Sequence, residues 1–183
     1  ESQATYRMTC VVESNKMKRD FTAEDVCARA IRVAKMCLKH GTTTLRTHVD
    51  IDTTVGLVGM EGVLAAKEAC REWMEIQVSP YPVNDLVESA DETDQLLREA
   101  LDMGGDLVGG VPEANPVGTE SVDRTFALAK EYDLDVDFHT DQVHGPRPFL
   151  LPYIAEKAVA QGWQGRVMAS HCFGLGYVTP EER

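Results

Sequence analysis

The chain has 183 residues, with 30 acidic and 18 basic side chains and a formal net charge of −12. That length fits one domain or part of a larger one, and 43% hydrophobic residues supply a core and exclude bulk disorder. The acidity argues against a nucleic-acid surface, which needs clustered Lys and Arg, and no apolar run nears the ~20 residues that span a bilayer. Residues 1–20 are polar and mixed in charge and do not read as a signal peptide. The five cysteines, Cys10, Cys27, Cys37, Cys70 and Cys172, form no CxxC pair. They are predicted to be reduced thiols packed as small hydrophobes in a cytoplasmic protein, not a disulfide frame or a zinc ribbon.

Residues 23–40 read as a helix, with Val26, Ala30, Val33 and Cys37 on one stripe, Thr22 as N-cap with Asp25 three residues on, His40 as a cap and Gly41 as the stop. Residues 43–50 (TTLRTHVD) form a strand, 60–73 a helix and 75–81 (EIQVSPY) a strand ended by prolines. A helix over 92–103 carries Leu96, Leu97, Ala100 and Leu101 on its apolar side, and its acidic residues Glu92, Asp94, Glu99 and Asp102 form a solvated face. A strand follows at 106–111, then a helix at 120–132 with Val122, Phe126 and Ala129 in one stripe. A strictly alternating strand at 135–139, a helix at 152–161 and a strand at 166–171 complete the series. Met60, Met74, Met103 and Met168 are expected in the core.

Strands beginning at Thr43, Glu75, Asp106, Asp135 and Arg166 are separated by 32, 31, 29 and 31 residues. A steady strand–helix period of this size is the mark of repeated βαβ units, which build a parallel sheet under helices. An open doubly wound sheet would want GxGxxG after the first strand, and Gly109-Gly110 is not that fingerprint. Polar residues recur at the C-terminal ends of the strands: His48 and Asp50, Tyr81, Glu113, His139 and His171. In a (β/α)8 barrel that phase is the catalytic mouth. The fold is therefore predicted to be an α/β barrel, although a full one needs about 250 residues, so roughly three strands are expected to lie outside this chain.

His139 and His171 are one repeat apart and would project from adjacent strands, where imidazoles serve as metal ligands or hold developing charge. His48 and Asp50 could ligate, orient ligands or form a structural network. His144 reads as a plain loop residue beside the mouth. No GxSxG, P-loop or HExxH is present, which argues against serine hydrolase, NTPase and zincin chemistry.

The segments RTHVD at 46–50, TFALA at 125–129, His139-x-Asp141 and Ser170-His171 resemble the amidohydrolase superfamily, in its cytosine deaminase-like branch, in register from about Ala23 to Gly176. The resemblance implies a distorted TIM barrel, of which residues 1–183 would form the central portion, about strands 2–6, of a single catalytic domain. Strand 1 and strands 7–8 would lie outside the chain, and 2–19 would be the long loop after strand 1. It also implies one divalent metal, zinc or iron, held by a His-x-His pair, a strand-five His and a strand-eight Asp. Of these, His139 matches the strand-five ligand. His171 matches a strand-six His that assists the transition state, and His48, Asp50 and Asp141 would support the ligands. Gln142 stands where the cytosine deaminases have a proton-shuttling Glu; an amide has no useful pKa for that work, but it could orient substrate together with Tyr81 and Glu113. Val83 stands near a substrate-reading Gln of those enzymes, so cytosine is not the expected substrate.

The implied activity is metal-dependent hydrolysis of non-peptide C–N bonds, deaminating or deamidating a small aminopyrimidine- or triazine-like heterocycle. Alternatives are a hydrolase that opens cyclic amides, or a non-catalytic barrel that has lost its proton shuttle. The expected partner is a small molecule, not nucleic acid or a membrane, and a homo-oligomer is compatible with the sequence.

Overall fold

The computed structural model describes residues 13, 16–82, 90–114, 117–142 and 149–179. Cys10, Val83, His144 and most of 2–19 lie outside the described residues. Among the described residues five parallel strands alternate with five helices: α1 (Ala23–Lys39), β1 (Thr44–Ile51), α2 (Val58–Cys70), β2 (Glu75–Pro82), α3 (Ala90–Asp102), β3 (Leu107–Gly110), α4 (Gly118–Tyr132), β4 (Asp135–Thr140), α5 (Leu151–Gln161) and β5 (Val167–His171). Short 3-10 turns follow β3 at Pro112–Ala114 and β5 at Phe173–Gly176. Among the described residues no helix is long and apolar enough to cross a membrane.

Local chemistry accounts for the helix ends. Thr22 is extended and its hydroxyl accepts the Asp25 N–H at 3.2 Å, which satisfies one of the free donors of the first turn. At the other end His40 is the C-cap, and Gly41 follows at φ 88°, a conformation glycine adopts without steric cost. The buried face of α1 centres on Ala34, so Val33 lies at its margin and is half exposed rather than part of the stripe. Of the α3 stripe Leu97, Ala100 and Leu101 are buried and Leu96 is partly buried against the core, and in α4 Val122, Phe126 and Ala129 are buried.

The strands pair as β1–β2 and as β3–β4–β5, all parallel. Their alternation divides the chain into two environments. Val49, Ile51, Ile76, Val78, Val108, Val136 and Phe138 pack with the helices into one core. Arg46, His48 and Asp50 share the opposite face of β1, and by register they meet Gln77, Ser79 and Tyr81 on β2. Asp137 and His139 share that phase on β4. The sheet thus has an apolar outer side under helices and a polar inner side, as a barrel wall requires.

Between β2 and β3 the ladder is replaced by a side-chain stitch. Pro80 and Pro82 have no N–H to donate. Instead the Asp106 N–H donates to the Val78 carbonyl at 2.8 Å, the Val78 N–H donates to Asp106 Oδ2 at 2.7 Å, and Lys67 holds the same carboxylate. Gly109 allows the close approach: a Cβ there would stand 2.3 Å from the Tyr81 Cβ and 2.7 Å from the Pro80 carbonyl oxygen. Gly109 is thus a packing glycine inside a strand, not part of a phosphate loop.

The methionines divide. Met60 and Met74 are core residues, but Met103 and Met168 are partly exposed. Met103 lies just past the end of α3, and Met168 is on the inner side of β5, the outer strand of its sheet. The described cysteines Cys27, Cys37, Cys70 and Cys172 are all free. Replacing Gly109 with Ala is expected to cost about 1–3 kcal/mol, because the new methyl meets backbone that cannot yield. Chemical denaturation measures this, and unchanged stability would contradict the packing described.

Candidate active site

The polar inner side is layered. In the lower layer Arg46 reaches from β1 across to β4. Its Nη1 donates to Asp137 Oδ2 at 2.9 Å and lies 3.3 Å from the Met168 sulfur, while its Nε and Nη2 donate to Gln77 Oε1 at 3.1 and 3.0 Å. Asp137 is fully buried. Burial alone would raise its carboxyl pKa, but the approach of His48 and Arg46 outweighs it and holds the group below its usual value.

One layer up, His48 Nε2 stands 3.4 Å from the same Asp137 Oδ2. The His48 and His139 rings meet edge to face with centroids 4.2 Å apart, and the Tyr81 ring lies 5.5 Å from His48 and 5.4 Å from His139. His171 closes the cluster from β5: its Nε2 lies 3.4 Å from His139 Nδ1. Burial first, and then the neighbouring His48 and His171, push the His139 pKa down to about 4. The imidazole is therefore neutral at physiological pH, with a lone pair to offer.

His139 and His171 do not share a strand phase. The register pairs His139 with Ser170 and Thr140 with His171. A left-handed backbone at His171 and Cys172, φ 73° and 52°, accompanies the return of the His171 ring to His139 despite that offset.

The other predicted site residues fall into two groups. Asp50 and Tyr81 belong to the rim of the cluster: they pair across the β1–β2 register, and burial first, then the nearby Asp50 carboxylate, pushes the phenol pKa well up. The second group braces the loops. The Gln142 N–H donates to Glu113 Oε1 at 2.6 Å, and the Gln142 side-chain amide donates to the His139 carbonyl at 3.3 Å. Asp141 is buried and accepts the N–H groups of Leu150 and Leu151 at 3.0 and 3.1 Å, so its carboxylate serves the start of α5 and not an imidazole.

Sequence reasoning gave no role to Asp137, Arg46 or Lys18. A signal for the first two was present, since each is two residues before a site histidine and a charge at that spacing shares its face. Lys18 carries no comparable signal.

One ligand atom each from His48, Asp137 and His139 lies within 4.8 Å of the others. Two imidazole nitrogens and a carboxylate suit zinc or iron. Asp137 Oδ1 is buried with no hydrogen-bond partner among the described residues, which leaves an acceptor over for a cation. The residues present therefore fit a divalent ion.

Replacing Asp137 with Ala is expected to lower stability by about 3 kcal/mol at neutral pH, because Arg46 loses its partner. The folded-state pKa of Asp137 lies below its unfolded value, so its contribution is present at neutral pH and is lost as pH falls through the folded-state value. Wild type and variant should converge in acid, and a constant gap across pH would contradict this.

No family model matches the chain. Among curated proteins it is 36% identical over 171 residues to N-isopropylammelide isopropyl amidohydrolase of Pseudomonas sp. (strain ADP), covering 91% of this chain and 42% of that protein. It is 30% identical over 159 residues to pterin deaminase of Rhizobium rhizogenes (strain K84 / ATCC BAA-868), covering 85% of this chain and 36% of the relative. Its fold matches 5-methylcytosine deaminase from Klebsiella pneumoniae liganded with 5-fluorocytosine, with a TM-score of 0.86 and 30% identity, over 94% of this chain and 42% of that one. The chain thus spans about two fifths of the length of these relatives. Its parallel strands under helices are consistent with a partial barrel, and by sequence and fold together the chain belongs to the amidohydrolase superfamily, among its cytosine deaminase-like members.

Proposed function

We propose that the protein is a metal-dependent hydrolase that cleaves non-peptide C–N bonds of a small N-heterocycle. The observation that carries this reading is the convergence of His48, His139 and His171 over a buried Asp137. The names of the relatives, an ammelide amidohydrolase and deaminases of a pterin and of 5-methylcytosine, support the substrate class.

Among the described residues, His139 would hold the ion, with His48 and Asp137 beside it. A divalent ion there, zinc or iron, supplies an acidified water as nucleophile at neutral pH. The reaction forms a C–O bond and breaks the C–N bond, and the leaving nitrogen carries away a proton. His139, already neutral, loses no proton on binding a cation. His171, against His139, is placed to hold a proton at Nε2 or to stabilise a developing oxyanion. Tyr81, Gln142 and Glu113 orient the ring. The free thiols support a reducing, cytoplasmic setting.

Gln142 favours a second reading, opening of a cyclic amide. Its amide cannot shuttle protons but can bond a lactam, and its N–H and side chain are already braced by Glu113 and the His139 carbonyl. Turnover across aminopyrimidines, aminotriazines, pterins and cyclic amides separates the two readings. In the full-length protein, His139→Ala should lose bound metal and turnover together, and retention of stoichiometric metal would overturn the ligand assignment. His171→Ala should keep the metal and lose about 10²–10³-fold in kcat; loss of metal in that variant would make His171 a ligand instead.

A further inference from the structure

A cavity of about 210 Å³ opens beside the ring cluster, where α1, α2 and the end of β1 meet. His48 forms part of its wall, and the His48 and His139 ring centroids are 4.2 Å apart, so a ring held at His139 would have this space alongside it. The rest of the wall is mostly apolar: Phe21, Val26, Val49, Val55 and Val63, with Gly59 adding no side chain one turn before Val63. The volume is far above the roughly 10–15 Å³ that one water needs. The charged groups around it are already matched. Lys18, from the segment ahead of α1, is buried with its Nζ 2.5 Å from Asp50 Oδ2 and 3.3 Å from Asp52 Oδ2. Asp52 Oδ1 accepts the N–H groups of Thr54 and Val55 at 2.8 and 2.9 Å, which fixes Val55 in the wall. Arg29 donates from Nε to Asp25 Oδ2 at 2.8 Å and lays its guanidinium over the Phe21 ring, 4.6 Å from the centroid.

We propose that this cavity is a subsite for a short uncharged alkyl substituent on the heterocycle, with the ring itself held at the histidines. This deepens the proposed function and rests on it. Lys18 and Arg29 face the three carboxylates Asp25, Asp50 and Asp52. A carboxylate or phosphate on the substrate would therefore meet an excess of negative charge. An added ammonium would have to compete with Lys18 and Arg29 for partners they already hold, and a charge buried without a partner is costly. An alkyl group makes neither demand and gains by leaving water. Pockets with apolar walls and a few fixed polar groups take ligands in this way, the walls holding the body and the polar groups setting its orientation.

The test uses uracil and oxotriazine rings, bare or carrying methyl, propyl or carboxymethyl at each free ring position in turn. Binding is measured by calorimetry on the full-length protein. Each buried methylene is worth about fourfold in affinity. At one ring position, propyl should therefore tighten binding to wild type by at least about tenfold over the bare ring, and carboxymethyl should not tighten it at all. In Val55→Phe, whose larger side chain fills the cavity, the propyl-to-bare ratio should fall to about one. No gain from propyl, a gain from carboxymethyl, or an undiminished ratio in Val55→Phe, while bare rings still bind, would overturn this inference and leave the proposed function standing. If no ring binds wild type, the proposed function falls and this inference with it. Crystals of the full-length protein under xenon need neither variant nor ring. Xenon bound among Val26, Val55 and Val63 is the expected result, and a space without xenon, or one filled by the protein's own side chains, would overturn the proposal.

Discussion

The ion pair between Arg46 and Asp137 bridges the two hydrogen-bonded sheets. Arg46 belongs to the β1–β2 sheet and Asp137 to the β3–β4–β5 sheet, and between these sheets the regular ladder gives way to the Asp106 stitch. A charge as deeply buried as Asp137 is tolerable only when paired. Its Oδ2 accepts a hydrogen bond from Arg46 Nη1, and His48 Nε2 stands 3.4 Å from the same oxygen. The pair thus sets how β1 lies against β4, and so how close the rings of His48 and His139 come. Removing it would leave an unpaired cation inside the wall and unfix the cluster above.

The same economy is repeated higher up. Lys18 stands to Asp50 as Arg46 stands to Asp137: a cation is paired with an inner-side carboxylate that lies beside the ring cluster. One carboxylate lies beside His48 in the ring cluster, the other opposite Tyr81 on its rim. Loops that carry site residues are braced in turn. Glu113 holds the turn after β4 through the Gln142 N–H, and Asp141 ties that turn to the start of α5. Rigid support of this kind keeps reacting groups in place without reorganisation when charge develops.

Much of the fold was legible because it is written locally. Helix stripes such as Val122, Phe126 and Ala129 recur at helical spacing and are buried as that spacing requires. The Thr22 cap and the Gly41 stop are short-range chemistry and lie where the sequence places them. The clustering of His48, His139, His171 and Tyr81 followed from the repeat, since the C-terminal ends of parallel strands converge. What could not be read depends on distant partners. Arg46 and Asp137 are 91 positions apart, and Lys18 meets Asp52 across 34. Asp141 shared the phase of the site but was claimed by the open end of a helix. His171 shows the converse: its register is wrong by one residue, yet its ring still meets His139 where the strand ends in a left-handed backbone.

The most direct measurement is anomalous scattering from crystals of the full-length protein grown with zinc and collected on both sides of the metal edge. One ion bonded to a ring nitrogen of His139 at about 2.0–2.1 Å, with His171 close enough to share its water, is the expected result. A map with no ion at His139, or with zinc only at surface carboxylates, would contradict the assignment of this cluster as a hydrolytic metal centre.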